Sequence, residues 1–388
     1  MNLITDTNTL ASFCGRLACA PFVAVDTEFI REKTYWSQVC LVQIAGAKEA
    51  CCIDPLAPGL DLNPLCGLMA NRRVLKIFHA ARQDIEILLE MTGAIPTPLF
   101  DTQVAAMVCG FGDSVGYETL VNKLTKAHID KSVRFTDWSQ RPLLARQIQY
   151  ALADVTHLTT IYEHLRLRLE REGRLSWLEE EMATLTDPAT YRVDPCEAWR
   201  RLKPRSSSPR FLAVLRELAA WRETEAQNRN LPRQRILRDE ALVEVAAITP
   251  GTLAELGRAR LLPRSSAEGR RGEEILDAVT RGAVLSIDQC PVLPERTPLP
   301  NGMAAVVDLL RVLLKMKCDQ HDVAQKLVAS TEDLEKIAID DNANVPALQG
   351  WRREVFGIDA LRVKHGTVAL AFSAPERRVK LVSASWKD

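Results

Sequence analysis

At 388 residues the chain exceeds one ordinary domain, so two or three are expected, and its 47% hydrophobic and 26% charged residues give a globular composition with ample core material. Lys plus Arg number 50 and Asp plus Glu number 50, so no global field steers a polyanion to it and any basic surface must be local. No uncharged apolar run reaches the ~18 residues of a membrane span, and the opening stretch carries Asp6 ahead of its apolar part, a poor secretory signal, so a cytoplasmic protein is expected.

Residues 2–5 read as a short edge strand and 8–17 as an amphipathic helix capped by Thr7 or Asn8. The run PFVAVDTEF then gives a strand over 22–29 that ends in two carboxylates. Alternation along a strand puts Asp26 and Glu28 on one face, a few ångströms apart, where two like charges need a proton, an arginine or a metal ion. A strand that simply ends at its solvated edge is the plain alternative. Residues 39–45 and 50–53 read as two further strands of a meander and 62–71 as a helix. VLKIF, at 74–78, has the continuous apolar character of a buried strand, and 80–91 has helical period. Antiparallel strands followed by strand–helix alternation imply a mixed sheet with helices on both faces, an α/β architecture.

On the helix after VLKIF, Asp84 shares a face with Ala81 and Leu88, so a carboxylate interrupts the buried stripe. It either needs a compensating charge or answers the helix dipole from the first turn. A later helix, expected to start near Pro142 and to run past His157, carries Tyr150 and Asp154 four residues apart on one flank. An ordinary Tyr–Asp hydrogen bond would explain the pair. Taken together, D-x-E on a strand, Asp in HAARQD and Y-x-x-x-D follow in order, each in an apolar setting. Four carboxylates converging on one point can hold two divalent ions about 4 Å apart, the clamp of phosphodiester hydrolysis.

Pro188 and the stretch 195–209, with its KPRSSSP, mark a linker. An amphipathic helix over 211–227 follows, broken at 230–232; Asp239 is expected to cap the next helix and Thr249-Pro250 to open a third, in a small bundle reaching about residue 279. Between Arg200 and Arg235 ten basic residues (Arg200, Arg201, Lys203, Arg205, Arg210, Arg216, Arg222, Arg229, Arg233, Arg235) outnumber four acids, Glu217, Glu223, Glu225 and, just ahead of the run, Glu197, which makes a phosphate-binding surface a reading to set against a merely solvated face. The stretch 287–301, with Pro291, Pro294, Pro298 and Pro300, is a second linker. Helices at 303–316 and 323–328, a capping box of Ser330 and Asp333, and a hairpin pairing 361–363 with 368–372 about Gly366 complete the chain. The domains expected are thus 1–186, 208–286 and 302–388, joined by linkers 187–207 and 287–301. The ten cysteines never fall as C-x-x-C, and none of the six histidines pairs with one at ligand spacing, so free thiols in a reducing compartment and no zinc site are expected.

The segments DTEF, HAARQD, FDTQ at 100–103 and WSQRPLLARQIQYALADV at 138–155 closely resemble the ribonuclease D family, in the tyrosine-containing branch of the DEDD superfamily of 3′–5′ exonucleases, over about residues 3–170. LAAWRETEAQNRNLPRQRILRDEALVEVA resembles the HRDC domain, a nucleic-acid-binding bundle, and the C-terminal helices a second, fainter copy. The resemblance implies an RNase H-like exonuclease domain followed by helical HRDC bundles, and a metal-dependent exoribonuclease that releases 5′-mononucleotides from structured RNA such as transfer RNA precursors. It carries the catalytic acids onto Asp26, Glu28, Asp84 and Asp154, with Tyr150 beside the attacking water. Two ions, Mg²⁺ or Mn²⁺, would be held by these acids: Asp26 bridging both, Glu28 and Asp154 completing the one that activates water, Asp84 holding the other. Asp101 is expected in the supporting shell or as a helix cap. One departure from the family pattern is Trp36-Ser37 after Thr34-Tyr35, where an aromatic followed by proline is usual. A monomer is expected, with no membrane partner. A DNA exonuclease on the same fold and an inactive RNA-binding scaffold are the competing readings, the second disfavoured because all five site residues are present.

Overall fold

The structure, a computed structural model, describes residues 2–384 apart from 131, 205 and 294–297. Arg205 of the basic run and Pro294 of the second linker therefore lie outside the described residues. The chain forms two compact units, one of Met1–Glu28, Leu41–Asp187 and Thr297–Asp388, the other of Phe29–Cys40 and Pro188–Arg296.

In chain order come β1 (Leu3–Ile4), α1 (Thr7–Leu17), β2 (Phe22–Ile30), β3 (Gln38–Ala45), β4 (Ala50–Ile53), α2 (Asn63–Ala70), β5 (Leu75–Phe78), α3 (Arg82–Thr92), β6 (Leu99–Asp101), α4 (Thr102–Val108), α5 (Tyr117–Thr125), α6 (Ala145–Glu172) and α7 (Leu175–Thr186). The six strands make one mixed sheet in the order β1-β4-β3-β2-β5-β6, with β1 parallel to β4, β3 antiparallel to β4, and β2, β5 and β6 parallel. Val23, Ala24 and Val25 in β2 and Cys40, Leu41 and Val42 in β3 are all fully buried, as a sheet covered on both faces demands. Lys76, in the middle of VLKIF, is fully buried as well; its ammonium donates to the carbonyls of Asn71, Val74 and Thr97 at 2.7, 2.9 and 2.7 Å.

Helices α1 and α6 start elsewhere than expected. Asp6, with extended backbone, caps α1 by accepting from Thr9 N at 2.9 Å, so Thr7 is already helical. Helix α6 begins at Ala145, after Pro142, because the preceding residues are tied down elsewhere. The Arg141 guanidinium grips the buried Asp54 carboxylate with two bonds, 2.6 and 2.7 Å, and donates to Trp138 O at 2.8 Å. The Gln147 side chain then accepts from Leu144 N at 2.9 Å.

The second unit holds α8 (Pro209–Asn228), α9 (Arg233–Ile236), α10 (Asp239–Ile248), α11 (Leu253–Leu256), α12 (Arg264–Ala267) and α13 (Gly269–Val284). Leu212, Leu215 and Leu218 of α8 and Ile275 and Val279 of α13 share a core with Trp199, which a short 3₁₀ turn at Pro195–Arg201 delivers. The close approach of α13 to α8 depends on Gly282, where a Cβ would lie 2.5 Å from Val214 Cα. Asp239 is the first residue of α10 rather than its cap; Arg238 is the extended residue, and the Asp239 carboxylate is taken by Arg222 at 2.6 Å. The next helix is capped by Thr252, since Thr249 is spent as the left-handed end of α10.

The remainder of the first unit comprises α14 (Met303–His321), α15 (Gln325–Val328), α16 (Thr331–Ile339), α17 (Gly350–Arg352), α18 (Ile358–Lys364), β7 (Val368–Ser373) and β8 (Arg378–Ser383). The Ser330–Asp333 capping box forms in both directions, at 3.1 and 2.8 Å. The hairpin exists with a different partner: residues 361–363 are helical, with Val363 in the core, and β7 pairs antiparallel with β8 through a turn at Arg377. This C-terminal part is held to α7 by Trp177, whose ring stacks on Trp351 at 4.3 Å and 8°, and by Arg352, which pairs with Glu180 and Glu181.

Candidate active site

Parallel β2, β5 and β6 all end at the same edge of the sheet, and the polar residues collect there. Ala24 is in register with Ile77 and Phe78 with Asp101, so Asp26, the turn after β5 and Asp101 come side by side. Helix α6 brings Asp154 to the same point. Among the described residues, carboxylate oxygens of Asp26, Glu28 and Asp154 lie within 4.8 Å of one another. Burial, and after it the charge of Asp154, pushes the Asp26 carboxyl well above the usual carboxylate range. Glu28 is pushed up to about 9 by burial first and then by Asp26, Asp154 and Asp84, with Arg134 alone pulling the other way. Two carboxyls that resist ionisation, crowded against a third, are what an oxygen-lined cation site looks like before its charge is balanced.

Asp84 is not in that trio. It sits in the first turn of α3, buried, and its carboxylate accepts from the Thr27 hydroxyl at 2.6 Å; its pKa is raised by burial and by Asp26, so its charge reaches the trio. Asp101 fills both parts expected of it. One oxygen caps α4 through Gln103 N (2.7 Å) and Val104 N (3.4 Å) and also accepts from Ala80 N (3.0 Å), while the other accepts from Ala81 N at 2.8 Å. Ala80 has φ of 59°, a conformation that costs a residue with a side chain, and Asp101 holds it there. The turn that aims Asp84 is thereby fixed.

The Tyr150 hydroxyl hydrogen-bonds Asp154, and burial followed by that neighbouring charge holds the phenol well above its ordinary pKa and therefore neutral. Its ring lies 6.2 Å from that of the buried Trp138. Four residues were not singled out from the sequence: Thr27, Arg134, Tyr117, whose hydroxyl donates to Ala153 O at 3.0 Å and whose pKa is raised by burial and then by Asp154 and Asp26, and Asp54, which anchors Arg141. Thr27 lies inside DTEF and could have been found there. The other three are brought in by tertiary packing alone.

Much of the basic run in the helical unit is spent internally. Arg222, 4% exposed, bonds Leu237 O and Asp239; Arg233 grips Glu223 at 2.5 and 2.6 Å; Arg210 donates to the carbonyl of Ala283 at 2.7 Å; Arg200, Arg216 and Arg229 pair with Glu197, Glu217 and Glu225. Among the described residues, Arg201, Lys203 and Arg235 are exposed and make no ion pair. Arg201 lines a cavity of about 330 Å³ together with Arg31, Arg222 and Arg233.

Comparison with known proteins agrees with this layout. Residues 1–170 match a family described as 3′–5′ exonuclease, and residues 211–279 match the HRDC domain. The chain is 52% identical to ribonuclease D of Granulibacter bethesdensis over 98% of its length and 96% of that protein, and 53% identical to ribonuclease D of Jannaschia sp. over 98% of each. Among solved structures it is similar to Escherichia coli RNase D, described as an exoribonuclease involved in structured RNA processing, with 30% identity, a TM-score of 0.79 and coverage of 94% of this chain and 98% of that one. With identity of this level sustained along the whole chain, and an exonuclease fold followed by an HRDC bundle, the chain belongs to the ribonuclease D family.

Proposed function

We propose that the acid cluster is the catalytic centre of a 3′–5′ exoribonuclease that trims the 3′ ends of structured RNA, transfer RNA precursors among them, and releases 5′-mononucleotides. The observation that carries the assignment is the half-buried trio Asp26, Glu28 and Asp154 with Tyr150 hydrogen-bonded to it. The donor set fits a hard divalent cation, Mg²⁺ or Mn²⁺: all ligands are carboxylate oxygens, and their mutual repulsion is relieved by binding one. Asp26, Glu28 and Asp154 would hold one cation, and Asp84, which feels the charge of Asp26, would join Asp26 in holding a second. Bound there, the cations supply Lewis-acid polarisation of the scissile phosphate. Tyr150, neutral, orients the attacking water by hydrogen bonding and does not serve as its base. Asp101 keeps the turn before Asp84 in place.

In the helical unit, Arg201, Lys203 and Arg235 are the basic residues left to meet phosphates. We read 1–186 as the nuclease, 208–286 as the HRDC domain and 302–388 as a second HRDC-like bundle with its hairpin, the stretches 187–207 and 287–301 connecting them. The acid cluster is complete within one chain, which supports a monomer as the working unit, and ten free cysteines suit a reducing cytoplasm. The test is 3′-end trimming of matched RNA and DNA oligonucleotides with and without chelator. RNA-selective, chelator-sensitive trimming is expected; equal trimming of DNA would favour a DNA exonuclease, and no trimming of either would favour a binding scaffold.

A further inference from the structure

Phe135 is 92% exposed, more than any other large hydrophobic residue among those described. The turn that presents it is nevertheless firmly built. Val133 and Trp138 are buried on either side of it, and Thr136 bonds back to Val133 O through both its N–H (3.3 Å) and its hydroxyl (2.9 Å). Gln147 Nε2 donates to Thr136 Oγ1 at 3.0 Å, which fastens the turn to the part of α6 just ahead of Tyr150 and Asp154, and the Trp138 ring lies against Tyr150. Beside Phe135, the Arg134 guanidinium lies 5.2 Å from the ring centroid, and its charge is felt at Glu28. An aromatic face and a cation are thus held at the rim of the acid cluster.

We infer that Phe135, with Arg134, is the platform on which a base of the incoming RNA strand stacks, so that Phe135 is a substrate-positioning residue. The inference rests on the acid cluster being the catalytic centre. A free 3′ end offers unstacked bases, and each base has a π-face, so stacking is tolerant of sequence, as removal of successive nucleotides requires. Arg134 can at the same time meet a backbone phosphate. An aliphatic side chain at 135 would offer contact without a π-face, and a buried one would offer nothing.

The test compares wild type, Phe135→Ala and Phe135→Trp on an unstructured RNA oligonucleotide and on the same oligonucleotide with abasic riboses in its last positions, with Asp26→Ala run in parallel. Base stacking is worth about 1–3 kcal/mol per base, so kcat/KM of Phe135→Ala on normal RNA should fall by about 5- to 150-fold, mainly through KM. Phe135→Trp should restore it, and the abasic oligonucleotide should be cut equally by wild type and Phe135→Ala. Unchanged kcat/KM in Phe135→Ala, or the same loss on abasic RNA, would overturn the inference while leaving an inactive Asp26→Ala to support the acid cluster. Normal trimming by Asp26→Ala would overturn both.

Discussion

At the scale of single residues, catalysis and stability pull in opposite directions at Asp26. Its carboxylate is half-buried among like charges, so removing it strips one member of the proposed cation site while relieving repulsion. Asp26→Ala should lose on the order of a thousandfold or more in trimming rate, several kcal/mol at about 1.4 per decade, with RNA binding retained. In chelator, its melting temperature should be above that of wild type, and calorimetry would check this. The same crowding gives a pH dependence. Glu28, at about 9 in the folded state, has a raised pKa. Metal-free stability is therefore complete below its unfolded value and lost as pH rises toward 9, because the folded state holds the proton more tightly than the unfolded one. Divalent metal replaces that proton, so the rise in melting temperature on adding Mg²⁺ should be larger at pH 8.5 than at pH 6. An equal rise at both would mean that the ion binds elsewhere. For Tyr150→Phe, which keeps the ring against Trp138 and deletes only the hydroxyl, turnover should fall by roughly a hundredfold with the RNA dissociation constant hardly altered. Single-turnover kinetics would show it.

At the scale of elements, Asp101 joins the starts of two helices, since one carboxylate collects N–H groups from the turn before α3 and the first turn of α4. Asp101→Ala would leave four backbone N–H donors, one buried and three part-buried, without their acceptor and should cost about 2–4 kcal/mol, together with activity, because Asp84 rides on α3. Asp101→Asn, which keeps one carbonyl oxygen, should fall between it and wild type in both melting temperature and rate. If the two variants matched, the bridging role would be wrong. Asp101 also shows where sequence reading stops. FDTQ suggested either a cap or a supporting residue, and only the pairing of β5 with β6 makes one carboxylate do both. DTEF and YALAD were legible because strand and helix periodicity alone decide which residues share a face. Lys76 was not. Nothing in VLKIF announces an ammonium sealed beneath three carbonyls, because two of those, of Asn71 and Thr97, come from outside it. Pro142 misled for the same reason: it reads as a first-turn proline, yet the grip of Arg141 on distant Asp54 holds it outside α6.

At the scale of the whole molecule, the C-terminal part belongs to the same compact unit as the nuclease, although some hundred residues of chain intervene. Gly110 marks how closely it fits: φ is +73° and a Cβ there would lie 2.7 Å from Asp322 O. No local pattern announces such a contact, and the C-terminal hairpin differs from its expected pairing likewise, Leu361 and Val363 being apolar because they face a helical core. RNA binding proposed for the helical unit is best measured in the full chain. Cutting the chain after residue 186 would also remove the segment that covers Trp177 and pairs with Glu180 and Glu181, so lost binding could reflect a damaged nuclease. Point substitutions avoid this. Arg201, Lys203 and Arg235 are exposed and make no ion pair among the described residues, whereas Arg222 and Arg233 hold buried or half-buried carboxylates and would unfold the unit if reversed. The triple variant Arg201→Glu, Lys203→Glu, Arg235→Glu should therefore melt as wild type does. If all three meet phosphates, the slope of log affinity for a structured RNA against log salt should flatten by about 2, at roughly 0.7–0.9 per phosphate. Cleavage of a short oligonucleotide, too short to reach beyond the acid cluster, should proceed at the wild-type rate. An unchanged slope in that variant would return the basic run to an ordinary solvated face and leave recognition to the nuclease alone.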